Sequence, residues 1–201
     1  MTEHPGGALI DLSFLFIDIR GSTPLAEGMR AGEYARLINR FYEEVTRVLV
    51  RTEAFIDKFV GDEVMAVFLP VFCGPNHAGA AVESALELLR ATARSGSQDA
   101  LPVGVGVNTG NCYFGTVKGV DGTFTDWTAL GDAVNVAARL GAAASAGEAL
   151  ISEATCRFAV LQLEDCESRD LVLKGKSDPV GVRVLRADNS LSGARDRSMV
   201  N

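Results

Sequence analysis

Two aspartates stand where acids need a reason: Asp18 ends the apolar run LSFLFID at 12–18, and Asp62 lies inside KFVGDEVMAVF at 58–68. Hard carboxylate oxygens on a rigid sheet suit magnesium, which keeps part of its water and is typically held by one or two carboxylates plus substrate phosphates. A pair of such ions can hold the attacking and leaving oxygens of an in-line phosphoryl displacement. The same residues also read as a strand-end acid and a turn acid, because Gly61-Asp62 between apolar runs is a strong hairpin signal and a tip tolerates charge. Lys58 fits that turn reading less well. Farther along, Asn135 and Arg139 lie four apart and share a helical face, and LKGK at 173–176 offers Lys174 and Lys176.

The elements that must position these residues follow from periodicity. LIDLSFLFID at 9–18 alternates and then turns almost wholly apolar, which predicts a central strand ending at Asp18. Thr23 is expected to cap a short helical turn with Pro24 at its first position. A helix from about Glu33 carries Tyr34, Leu37, Ile38, Phe41, Val45, Val48 and Leu49 on one face, and the hairpin AFIDKFV and EVMAVF follows. A second helix runs from about His77 to Ala93, with Ala78, Ala81, Val82, Ala85, Leu88 and Leu89 as its apolar stripe. PVGVGVNTG at 102–110 alternates valine and glycine like a strand packed closely on one face. Strand, helix, strand, strand, helix, strand is the split-βαβ order of a ferredoxin-like α+β fold, an antiparallel-rich sheet with helices expected on one face. Beyond it, GTVKGVDGTFTDW reads as a strand and exposed loop, GDAVNVAARLGAAA as a helix opened by Gly131-Asp132, and 149–152, 170–174 and 180–186 as short strands. One domain is expected over 8–187, and the polar segment 188–201 reads as a disordered tail or linker.

Composition narrows the class of partner. The net charge of -7 argues against nucleic acid or an anionic membrane as the main partner, since both want a basic face. A polyanionic substrate would then need metal help. No apolar run approaches the roughly 18 to 20 residues of a membrane span, and the N-terminus lacks a basic region before an apolar one, so the chain reads as cytoplasmic. Cys73, Cys112, Cys156 and Cys166 form no CxxC pair, and His4 and His77 are the only histidines, which disfavours zinc and leaves reduced thiols. GVGVNTG does not open a helix with G-x-G-x-x-G, so a dinucleotide fingerprint is rejected.

FIDIRGST at 16–23, KFVGDEVMAVF at 58–68 and TALGDAVNVAARL at 128–140 closely resemble, in order and spacing, the signature segments of class III nucleotidyl cyclase catalytic domains. VNTG at 107–110 and LKGKSDPVGVRVL at 173–185 resemble that family too. The resemblance implies the nucleotidyl cyclase fold over nearly the whole chain. By position, Asp18 and Asp62 match the family's metal-binding aspartates, and Ile19 the residue whose backbone carbonyl also touches a metal, magnesium or manganese, two per site. Lys58 matches the purine-reading position that is lysine in members similar to adenylyl cyclases and glutamate in guanylyl cyclases. An ammonium only donates, which suits N1 of adenine, whereas N1 of guanine carries a proton. Thr128 falls at the partner position, where many members have aspartate; the likeness is to the bacterial and soluble-type subgroup with threonine. The resemblance assigns Asn135 to the ribose, Arg139 to the α-phosphate, and Lys174, or its neighbour Lys176, to the terminal phosphates.

Lys58 and Asp62 sit four apart across a tight hairpin, yet one must meet the base and the other the triphosphate. The resemblance implies the solution: a head-to-tail homodimer in which Asp18 and Asp62 of one copy face Lys58, Thr128, Asn135, Arg139 and Lys174 of the other. The implied reaction is attack of the ribose 3′-oxygen of ATP on the α-phosphorus, giving 3′,5′-cyclic AMP and pyrophosphate. A guanylyl or relaxed-purine cyclase, and a degenerate module that binds nucleotide or only dimerises, are the competing readings.

Overall fold

The run ending at Asp18 becomes the centre of a sheet because both of its faces are apolar. The structure is a computed structural model that describes residues 6–94, 100–119, 125–159, 161, 163, 165–189 and 191. β1 (Gly7–Ile19) pairs antiparallel with β3 (Glu63–Phe68) on one side and β4 (Val103–Lys118) on the other, while β2 (Phe55–Val60) forms the edge beside β3. The order β2-β3-β1-β4 is the expected split-βαβ arrangement. Beyond β4 the sheet continues through β6 (Glu148–Ser152), parallel to β4, then β8 (Val180–Leu185) and β7 (Glu167–Leu171), and β5 (Thr125–Leu130) hangs from the far half of β4. The fold is α+β with an antiparallel-rich sheet.

Helices cover both faces, which corrects the one-face expectation. On the first face, α2 (Ala31–Arg51), α4 (His77–Arg94) and α6 (Glu153–Ala159) pack against Leu15, Ile17, Val105, Val107 and Ile151. On the second, α5 (Asp132–Ala143) lies on Phe14, Phe16, Met65 and Val67 through Ala133 and Ala137. The unbroken run SFLFI carries the reason: a strand buried on both sides reads as continuous rather than alternating. Each such fully buried side chain contributes roughly 1.5–3 kcal/mol of transfer free energy. The valine–glycine alternation of β4 serves the same sandwich. Val103, Val105 and Val107 point into the first core, and a Cβ at Gly106 would lie 2.0 Å from the Gly141 nitrogen, so only glycine lets α5 sit directly on the strand.

The predicted apolar stripes of α2 and α4 are buried as expected, although α2 starts two residues before Glu33. Three boundaries differ. α1 (Ser22–Gly28) is capped by Gly21, at φ 73, and no side chain caps it. The left-handed glycine starts the helix two residues early, which leaves Thr23 inside the first turn. The strand expected at 170–174 lies at Glu167–Leu171 instead, because Leu173 is drawn into the core under α5 and Gly175, at φ 78, closes a turn from Leu173 to Lys176. Finally, the expected tail begins as ordered chain: Arg90 of α4 donates to the carbonyls of Ala187 (3.0 Å) and Asn189 (2.6 Å). Most of 190–201 lies outside the described residues, as does the loop at 120–124. Among the described residues, the four cysteines are free thiols and no helix is long and apolar enough to cross a membrane.

A chain of buried hydrogen bonds crosses the sheet. His77 Nδ1 meets Ser13 Oγ at 2.9 Å, Ser13 meets Thr109, and Thr109 meets Thr155, which shares Ser152 with Asn108. Asn108 Nδ2 then donates to the Ala133 carbonyl at 2.9 Å and so ties the first turn of α5 to β4. His77 is thus a satisfied core histidine, held by burial below its ordinary pKa.

At the sheet's other end Glu148 is buried and accepts from Arg169 Nη1 (2.9 Å) and Nη2 (2.8 Å) and from Arg186 Nη2 (2.7 Å). The Arg169 hydrogen bonds outweigh desolvation and lower its pKa to about 2. A folded-state value below the unfolded one stabilises above the unfolded pKa and is lost as pH falls through the folded value. Glu148 therefore contributes about 3 kcal/mol at neutral pH, lost between about pH 4.5 and 2. Glu148→Gln should lower the Tm at pH 7 and flatten the pH dependence across that window; equal Tm curves for the two proteins would remove the ion cluster from the stability account.

Candidate active site

The sheet brings Asp18 and Asp62 to one edge. Asp18 is opposite Glu63 in the β1–β3 register, so Asp62, one residue earlier in the turn, sits beside it. Gly61, at φ 62, makes that turn, and the Tyr42 hydroxyl of α2 holds it by donating to the Gly61 carbonyl. Neighbouring groups register the acidic edge. Burial pushes the Glu63 carboxyl up, and the charge of Asp62 pushes it further while Arg20 opposes; burial and then Asp62 likewise raise the Tyr42 phenol. Ile19 is buried in the first core, and its successor's amide donates to the Pro102 carbonyl, which fixes the strand end.

Arg20 is the residue at this edge that spacing did not single out. Its guanidinium contacts Asp18 and donates to the carbonyls of Ala142 (2.9 Å), Ala144 (3.1 Å) and Gly141 (3.0 Å) at the end of α5. A cation there answers the unpaired carbonyls of a helix C-terminus. The signal was its place in FIDIRGST, two residues beyond Asp18 and so on the same strand face.

The donor set fits a hard divalent cation. Asp18 Oδ1 is buried against Arg20, and the side chain stays partly exposed, which leaves its second oxygen to meet a cation. Among the described residues no three acidic, histidine or cysteine side chains are grouped to enclose an ion. Magnesium-type binding needs only a few carboxylates, completed by water and substrate phosphates.

Lys58 and Thr128, seventy residues apart, meet directly: Lys58 Nζ donates to Thr128 Oγ1 at 3.3 Å. Register alone would not bring them together, because Thr128 is opposite Gly115, whose β1 partner is Gly7, whereas Lys58 is in the row of Met65 and Phe16. The β4–β5 ribbon arches back over the second face, and Phe114 packs edge-on against Phe55 of β2, ring centroids 6.1 Å apart. Lys58 Nζ also lies 3.2 Å from Asp57 Oδ2 and 4.0 Å from Asp126 Oδ2.

On α5, Asn135 is exposed and Arg139 partly buried; neither side chain has a hydrogen bond or ion pair among the described residues. Arg139 faces the Leu173–Lys176 turn, where a Cβ on Gly175 would lie 3.6 Å from Arg139 Nη2. The turn separates the two lysines. Lys176 Nζ is engaged by Asp132 at 2.7 Å, while Lys174 is exposed with no ion pair among the described residues. No hydrogen bond or ion pair among the described residues joins the Lys58–Thr128 pair to the Asp18–Asp62 edge. A cavity of about 460 Å³ between α5, α6 and β8, lined by Asn108, Asp132, Ser152, Arg157 and Lys176, includes none of the other site residues.

The sheet and the helices on both of its faces belong to a known family. Residues 9–184 match the adenylate and guanylate cyclase catalytic domain, and the chain belongs to that family. It is 34% identical over 139 residues to an adenylate cyclase of Anabaena cylindrica, covering 64% of this chain and 26% of that protein. To the terminal-differentiation-specific adenylate cyclase of Dictyostelium discoideum it is 30% identical over 187 residues, 85% of this chain and 8% of that protein. The chain thus spans about a quarter or less of these curated relatives. Among solved structures, the adenylyl cyclase CyaB from P. aeruginosa superimposes with a TM-score of 0.77 at 32% identity, over 94% of this chain and 97% of that one. The guanylyl cyclase Cya2 superimposes with a TM-score of 0.80 over 96% and 97% of the two chains, at 24% identity, a likeness of fold.

Proposed function

We propose that the chain is an adenylate cyclase catalytic domain that converts ATP to 3′,5′-cyclic AMP and pyrophosphate at sites shared between two head-to-tail copies. The observation that carries the purine choice is the 3.3 Å contact between Lys58 and Thr128. It joins an obligate donor to a hydroxyl that can accept, the complement of adenine N1 and its 6-amino group; guanine presents a protonated N1 and a carbonyl at those positions.

Asp18, Asp62 and the Ile19 carbonyl would hold two divalent cations, magnesium or manganese, which supply a more acidic 3′-hydroxyl and charge neutralisation on the triphosphate. The chain's own residues do the positioning. Asn135 orients the ribose, Arg139 meets the charge that grows on the α-phosphate as the ring closes, and Lys174 takes the terminal phosphates. Lys176, neutralised by Asp132, is the poorer candidate for that last role. No covalent enzyme intermediate is required, and catalysis is chiefly orientation and electrostatic stabilisation.

One feature supports the shared site. β5, which presents Thr128 inward, exposes Trp127 (55%) and Leu130 (51%), large apolar groups of the kind a partner covers.

Purified protein incubated with ATP or GTP and either magnesium or manganese should form cyclic AMP in preference to cyclic GMP. Predominant cyclic GMP would overturn the purine assignment. Absence of any cyclic nucleotide with both metals would overturn the enzymatic reading.

A further inference from the structure

Asp57 precedes the purine-reading lysine, and the β2–β3 ladder slips between Ile56 and Lys58, leaving Asp57 as the extra residue of a bulge. Bulges re-aim side chains next to functional sites. This one turns a carboxylate inward: the Asp57 side chain is 1% exposed and its Oδ2 lies 3.2 Å from Lys58 Nζ. No well-aligned hydrogen bond reaches that oxygen among the described residues. A carboxylate buried without full hydrogen bonding is costly, and such groups persist where surrounding structure or function requires them. Burial drives its pKa up and Asp126 adds to that, whereas Lys58 opposes. Because Oδ2 is buried, it is not available to a base, so Asp57 acts on the nucleotide only through Lys58.

We propose that Asp57 is a positioning residue for purine choice: it anchors the Lys58 ammonium beside Thr128, so that one N–H remains directed at the unprotonated N1 of adenine. An ammonium has three donors. Thr128 takes one at 3.3 Å, and the Asp57 carboxylate attracts the ammonium as an ion pair from 3.2 Å. Asp126, at 4.0 Å and half exposed, faces the same ammonium from β5 and is too far to fix its rotation. Without Asp57 the long side chain regains rotamers that point away from the base. This inference rests on the ATP reading above.

The test compares wild type with Asp57→Asn, which removes the charge at nearly constant shape, and with Asp57→Ser should the first fail to fold. The kcat/KM ratio of ATP to GTP should fall roughly tenfold, about the value of one directed hydrogen bond, through a raised KM for ATP more than a lowered kcat. ITP, whose N1 carries a proton and which lacks the 2-amino group, should gain on ATP by a similar factor. A merely structural Asp57 would lower the Tm and leave these ratios unchanged, and that outcome overturns the proposal. Wild type that prefers ATP while the variants keep its ratio refutes the positioning role alone; wild type with no ATP preference refutes the purine reading beneath it.

Discussion

Asp62→Ala protein is expected to form cyclic nucleotide at less than about 1/1000 of the wild-type rate, since losing a metal-ligating carboxylate removes several kcal/mol of transition-state charge stabilisation. Lys58→Ala protein should also be nearly inactive on ATP. Mixing the two inactive chains is the decisive measurement. If each site takes its acids from one copy and its purine pair from the other, a mixed dimer holds one wholly mutant site and one intact site. Random pairing of equal amounts makes about half the dimers mixed, so activity should recover to about a quarter of wild type. If both residues served one site within a single chain, no pairing would restore it, and the mixture would stay inactive. The tip held by Tyr42 and the arch that draws Lys58 to Thr128 take the two residues to different neighbours, as the shared arrangement requires.

Arg139→Ala should lower kcat on the order of 10²- to 10³-fold while KM for ATP changes less, as removal of a single charge-stabilising donor does. The side chain is suited to that role because no acid neutralises it among the described residues, in contrast to Lys176 beside Asp132. The Gly175 turn flanks the guanidinium, since a Cβ on Gly175 would lie 3.6 Å from Arg139 Nη2. Arg139→Lys should recover only part of the loss, since a point charge does not reproduce the two-pronged donor geometry of guanidinium. A kcat unchanged in Arg139→Ala would remove the residue from the chemistry. The folding control is the Tm, which a partly exposed helical position should leave near wild type.

The sequence by itself determined the split-βαβ order, the buried stripes of α2 and α4 and the hairpin at Gly61, because each depends on local periodicity or turn chemistry. It also carried the close packing on β4, since glycines at every second position empty one face of a strand. Tertiary structure decided the rest. That α5 occupies the second face was hidden because a continuous apolar run does not say which helix covers which side. Lys58 and Thr128 meet only because the β4–β5 ribbon arches over the sheet, a long-range closure that no local pattern encodes. The Leu173–Lys176 turn, pulled in by burial of Leu173, separated two lysines that looked equivalent in LKGK. Arg20 and Asp57 went unread for the same physical reason: the fold brings their neighbours close, and spacing along a chain reports faces, not the partners that arrive on them.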